Sequence, residues 1–196
     1  MIDQLPTGLI MKLHIGGHEK RQDWHIFDIA PSDIVDFVGT CADMSQFETA
    51  SVEEIYASHV LEHLSHNAEL AQALHEFLRI LKPGGRVRIS VPDFYEIARA
   101  FCSEDLTTGD RYKLSRLAFG GQRNEYDFHK IGFSFDILQL YLEEIGFCDV
   151  SRVDQFNLFT DASMGKVDPR RPDGSICRTI DGMRFSINAI AYKPRI

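Results

Sequence analysis

A chain of 196 residues with 44% apolar content can bury roughly 70% of its unfolded-chain surface in one compact domain, so its core needs neither a metal nor a disulfide staple. A net charge of −8 opposes a general nucleic-acid role, because phosphate backbones are held by clustered Lys and Arg. No run approaches the ~20 apolar residues that span a bilayer, the N-terminus shows no leader pattern, and Cys41, Cys102, Cys148 and Cys177 form no C-x-x-C pair; the expectation is a cytoplasmic protein with reduced thiols and no membrane contact.

The first half alternates short β-rich runs with one long helical pattern, the signature of βαβ units and a mostly parallel sheet. Residues 10–15 form the first predicted strand, 24–29 the second and 35–38 a short third. The eight residues from Gly16 to Asp23 are too few for a crossover helix, so a tight loop must join the first two strands. A fourth strand, 54–58, runs into the turn His59-Val60-Leu61-Glu62-His63-Leu64. From Asn67 the period changes: Leu70, Leu74, Phe77, Leu78 and Leu81 recur at helical spacing, with Ser65 or Asn67 as N-cap and Lys82-Pro83-Gly84-Gly85 as the stop. Val87, Ile89 and Val91 alternate in a fifth strand that Pro92 ends.

Helical stretches are predicted over 94–101 and 110–119, followed by the Gly120-Gly121 break and an aromatic loop. A helix after Ser134 carries Ile137, Leu138, Tyr141, Leu142 and Ile145 up to Gly146. Strands at 147–153 and 185–192 close the chain, separated by a connection long enough to suggest a functional flap. Within it, Lys166 to Arg171 is a basic run that either attracts an anion or is a solvated loop.

In an open parallel sheet, ligands bind beyond the carboxyl ends of the strands at the topological switch point. Gly16 and Gly17 then allow close backbone approach, Asp28 is placed to accept bonds from ribose hydroxyls, and Asp43 to meet an adenine amine. The ordered series Lys12–Gly16, Trp24-x-x-x-Asp28, Ala42-Asp43-Met44, Glu54–Leu64, Leu81–Gly85 and Val91-Pro92-Asp93 resembles the class I S-adenosylmethionine-dependent methyltransferases, most closely small stand-alone bacterial ones. The likeness continues through Gly120-Gly121-Gln122, Asp127–Lys130 and Glu143–Phe147.

The resemblance implies a doubly wound, Rossmann-like, seven-stranded sheet with a C-terminal antiparallel hairpin and helices on both faces. It implies one domain over 1–196, with 93–133 and 154–184 as acceptor-side insertions. It also implies S-adenosylmethionine as cofactor, held by the loop Gly16-Gly17-His18, by Asp28 at the ribose and by Asp43-Met44 at the adenine, with Ser58 and His59 alongside. The acceptor is expected to be a small molecule, with a sugar or glycan intermediate as one candidate. The oligomeric state stays open, a homodimer being one arrangement allowed.

His129 beside Asp127 is the candidate base, since an attacking hydroxyl must shed a proton; the alternative is a loop histidine that satisfies a backbone carbonyl. Phe94, Tyr95, Phe101 and Phe119 either line an acceptor pocket or pack in the core, and Trp24 either borders the cofactor or packs.

Two rival readings stand beside this one. Gly16-Gly17-His18-Glu19 departs from the family's Gly-x-Gly, and Glu19 brings a negative charge toward the cofactor carboxylate, which suits a degenerate protein that binds a nucleoside or a partner without catalysis. His59-Val60-Leu61-Glu62-His63 also spells the H-x-x-E-H of zinc hydrolases, but that signature needs a long helix, here a strand precedes it, and the third ligand is undefined, Glu125 being only a distant candidate. No metal-ligand set is assigned on sequence.

Overall fold

The computed structural model describes residues 11–160 and 185–195. Seven strands form one sheet in the order β3-β2-β1-β4-β5-β7-β6: β1 (Met11–Ile15), β2 (Trp24–Asp28), β3 (Phe37–Val38), β4 (Val52–Ser58), β5 (Leu81–Pro92), β6 (Cys148–Val153) and β7 (Ser186–Tyr192). β1 to β5 are parallel, and β7 runs antiparallel to both β5 and β6. The chain moves outward from β1 to β3 and then returns to β4 on the other side of β1, so the order reverses between β1 and β4. That reversal opens a crevice at the carboxyl ends of these two strands.

The odd positions of the central strands, among them Leu13, Ile15, Ile55, Ala57, Val87 and Ile89, are almost fully buried. They pack under α1 (Glu69–Ile80), through Leu70, Leu74 and Phe77, and α4 (Phe135–Ile145), through Leu138 and Leu142. On a separate cluster Trp24 and Tyr56 meet Phe156 and Phe159, so Trp24 is a packing residue. His14 lies in the same region, 4.0 Å ring to ring from Phe159. α2 (Phe94–Phe101) and α3 (Thr108–Phe119) form a smaller cluster around Ile97 and Leu114.

The loop between β1 and β2 contains no helix, as its length requires, and Gly146 ends α4 in the left-handed conformation. Other expectations shift. The N-cap of α1 is Ala68 rather than Ser65 or Asn67, and no side chain caps it. Ser65 instead forms the preceding turn, its N–H donating to Glu69 Oε2 at 2.8 Å and its carbonyl accepting from Leu70 N–H. Leu81 belongs to β5 and pairs with Val52 rather than extending the apolar stripe of the helix. Phe94, Tyr95, Phe101 and Phe119 are all exposed and join neither the core nor the cleft described below. The Lys166–Arg171 run and Cys177 lie outside the described residues.

Candidate functional site

A cleft of about 540 Å³ opens at the ends of β1, β2 and β4, within the usual range for a small-ligand site. One half is built from strand ends: Gly16, His18, Asp28, Thr40 and Cys41. Gly16 sits at φ +67°, and a Cβ there would lie 2.9 Å from Val60 Cγ2, so only glycine leaves this wall open. Gly17 is buried and does not line the cleft; a Cβ on it would meet the His14 ring at 2.7 Å. Gly17 thus packs over His14.

Asp28 stands at the end of β2. Its carbonyl accepts Gly39 N–H at 2.9 Å and its Oδ1 accepts Ala30 N–H at 2.8 Å, which fixes the carboxylate at the rim. No described residue holds Oδ2. Cys41 is buried, which pushes its thiol up to about 12 and makes it a neutral wall.

Asp43 and Met44 do not reach the cleft. Asp43 is exposed and its carboxylate accepts Ser45 N–H, while Met44 is buried in the core, with its N–H donated to Glu76 Oε2. The β3 loop turns inward at Met44, so the stretch lining the cleft is Gly39 to Cys41. Glu19 also points elsewhere, its Oε2 accepting Thr160 N–H at 3.1 Å.

The other half of the cleft comes from the turn after β4 and from the 123–130 loop: His59, His63, Arg123, Tyr126, Asp127 and Lys130. His59 has φ +54°, an uncommon conformation for a residue with a side chain, held by its N–H to Ser90 O at 2.8 Å. Its Nδ1 lies 3.0 Å from Glu62 Oε1 and its Nε2 3.2 Å from Ser186 Oγ. Leu61–His63 form a single 3₁₀ turn, not the long helix that a zinc-hydrolase signature requires. Lys130 N–H donates to Glu62 O at 2.7 Å, and His63 Nδ1 lies 3.1 Å from Phe128 O, so turn and loop are fastened together. Ser58, at the end of β4, has a buried Oγ.

The two members of the candidate acid-base pair lie apart in function. Asp127 Oδ2 accepts from both the N–H and the Nε of Arg123, at 3.2 and 2.8 Å, and this pairing holds its carboxyl below the ordinary value. Asp127 thus closes its own loop, and no bond to His129 is found among the described residues. His129 Nδ1 lies 3.0 Å from Leu117 O. Burial lowers its imidazole below the usual value, against the pull of nearby Glu62, so the ring is neutral with Nε2 bare.

Sequence reasoning passed over Arg123, Tyr126 and Lys130; their one signal was a polar, aromatic segment directly after Gly120-Gly121.

Residues 19–89 match the family model described as a methyltransferase domain. Known structures share the whole architecture, and an S-adenosylmethionine-dependent methyltransferase from Archaeoglobus fulgidus superposes with a TM-score of 0.55 at 17% identity, over 95% of this chain and 87% of the other. The chain shares the fold of these methyltransferases, and its matched segment is about a third of its length.

A second such methyltransferase, from Methanosarcina mazei, gives a TM-score of 0.52 at 14% identity, over 94% and 92% of the two chains. The 1,6-didemethyltoxoflavin-N1-methyltransferase of Burkholderia thailandensis, solved with its acceptor and S-adenosylhomocysteine, gives 0.52 at 14% over 95% and 72%. Among curated proteins no sequence matches significantly. The Gly16 opening beside the Asp28 carboxylate fits a nucleoside with a short polar tail. No helix of the described residues is long and apolar enough to cross a membrane.

Proposed function

We propose that this protein is a methyltransferase that moves the methyl group of S-adenosylmethionine to a hydroxyl of a small polyhydroxylated acceptor, of the sugar or glycan-intermediate class. The observation that carries this reading is the two-sided cleft: a glycine and a carboxylate at the strand ends face a wall of imidazoles, with a lysine, an arginine and a tyrosine.

Gly16 and His18 would border the methionine part of the cofactor, Asp28 Oδ2 the ribose hydroxyls, and Thr40 with Cys41 the adenine, taking the place first given to Asp43 and Met44. The cofactor supplies an electrophilic methyl on sulfur. Ser58 ends β4 and His59 follows it in the second half of the cleft, and both would flank the reacting groups. The protein's own contribution is orientation and the exclusion of water. The hydroxyl needs help to lose its proton, and the neutral His129 is the candidate acceptor for it; Asp127 serves only to hold the loop in place.

The non-catalytic reading rested on the side chain of His18 in the loop and on the negative charge of Glu19. Glu19 accepts the Thr160 N–H and leaves the cleft free of its charge, while His18 lines the cleft.

Calorimetry with S-adenosylhomocysteine tests the cofactor half. Binding is expected, and Asp28→Ala should weaken it roughly 10- to 150-fold, the value of about 1.5–3 kcal/mol for a hydrogen bond to a charged group. An absence of binding at millimolar ligand sinks the proposal. Transfer of labelled methyl to a panel of sugars and glycan intermediates tests the acceptor half.

A further inference from the structure

Among the described residues, Glu62, His63 and His129 bring one ligand atom each to within 4.8 Å of one another. Glu62 is 1% exposed, and neither of its carboxylate oxygens completes a hydrogen bond of good geometry. A carboxylate so placed is costly without a cation or a strong donor beside it.

The two imidazoles are turned to suit. His63 Nδ1 lies against Phe128 O at 3.1 Å, and His129 Nδ1 against Leu117 O at 3.0 Å. A carbonyl only accepts, so in both rings the proton sits on Nδ1 and Nε2 keeps its lone pair. Ligating histidines show this same arrangement, with the far ring N–H given to a backbone carbonyl or a carboxylate. The rings face each other edge to face at 4.9 Å. His59 Nδ1, 3.0 Å from Glu62 Oε1, stands where an outer partner steadies a ligating carboxylate.

From this geometry we infer that Glu62, His63 and His129 form a site for a divalent first-row transition ion of the zinc type, with an open coordination position toward the cleft. Two imidazoles and one carboxylate suit such an ion better than magnesium or calcium, which prefer all-oxygen shells. At ion–ligand distances of about 2.0–2.2 Å, a tetrahedral shell needs the donor atoms roughly 3.3–3.6 Å apart, a closure on the order of 1 Å from the present limit. Three protein ligands and a free position are the pattern of a reactive rather than a structural site, and His63 belongs to the cleft wall.

The role of the ion rests on the methyl-transfer reading; its binding does not. Coordinated to the ion, an acceptor hydroxyl gives up its proton to water, and the freed oxygen pair forms the new C–O bond as the methyl–sulfur bond breaks, leaving a neutral thioether. His129 is then an ion ligand instead of the proton acceptor, and the acceptors favoured are those that chelate through vicinal oxygens.

The test is titration of EDTA-treated, dialysed protein with Co²⁺, followed by visible absorption, with Zn²⁺ as competitor. One Co²⁺ per chain is expected, with a ligand-field band that Zn²⁺ abolishes and that is lost in both His129→Ala and His63→Asn. Circular dichroism and thermal unfolding, measured in parallel, report that the variants are folded. If wild-type protein shows no stoichiometric Co²⁺ or Zn²⁺ binding, or if either folded variant retains the cobalt band, the site is refuted. Cobalt binding without nucleoside binding would instead overturn the methyl-transfer proposal and leave the ion site standing.

Discussion

Replacing Gly16 with alanine separates the backbone's part in shaping the cleft from its part in folding. Gly16 adopts φ +67°, where a Cβ costs about 1–2 kcal/mol in an L-residue. The same Cβ would meet Val60 Cγ2 at 2.9 Å, and relieving such an overlap costs about 1–3 kcal/mol more. A combined loss of about 2–5 kcal/mol corresponds to a fall in Tm of about 4–20 °C for a domain of this size. Because Gly16 and Val60 both line the cleft, the relaxation moves its wall, and S-adenosylhomocysteine should bind at least tenfold more weakly, about 1.4 kcal/mol.

Gly146→Ala is the control. It is also left-handed, at φ +111°, but its Cβ would meet Leu78 at an ordinary 3.4 Å, outside the cleft. It should lower Tm and leave affinity intact. Differential scanning fluorimetry and calorimetry on the two variants decide the matter: a folded Gly16→Ala protein with wild-type nucleoside affinity would refute the place given to this residue.

Three other outcomes follow from the geometry. Glu54 is 3% exposed and paired with Arg86 at 2.7 and 2.9 Å and with Arg88 at 2.6 Å, so Glu54→Gln should cost about 3–5 kcal/mol in urea denaturation. Burial opposes its charge, yet the two arginines prevail and hold the carboxyl below its ordinary 4.5; the stabilisation is therefore full above that pH and is lost as pH falls through the lower folded value. Denaturation between pH 3 and 7 should show a shallower acid limb in the variant, and an unchanged limb would contradict the assignment. Glu19→Ala should leave nucleoside affinity near wild type, because the carboxylate is engaged with Thr160; a marked gain would restore the charge-repulsion reading. Arg123 is largely exposed, so Arg123→Ala should change stability by less than about 1 kcal/mol, yet it frees Asp127 and loosens the acceptor loop; KM for the acceptor should rise while nucleoside affinity holds.

The strands, the stop at Gly146 and the position of Asp28 were legible because each depends on local alternation or on one residue's backbone freedom. Asp43 and Met44 lie outside the cleft because spacing fixes how far the chain has run, not which way it turns. Asp43 spends its carboxylate on Ser45, and apolar Met44 goes under the core, so Thr40 and Cys41 face the cleft. The zinc-like signature was visible in sequence, but its third member was not: His129 reaches Glu62 only because Lys130 and Phe128 are bonded back to the turn after β4. Phe94, Tyr95, Phe101 and Phe119 show the opposite error, since apolar character alone does not say that a ring is covered.

The placing of Phe159 and β7 also bears on the order in which the molecule can be made. Phe159 closes over His14 and Trp24, and β7 inserts between β5 and β6, so earlier strands are covered and paired by segments synthesised after them. Such non-local pairing slows folding and leaves apolar sheet surface open while the chain emerges. Truncation before Phe156 would remove β7 along with this aromatic cover, leaving β5 as an unpaired edge prone to association with other chains.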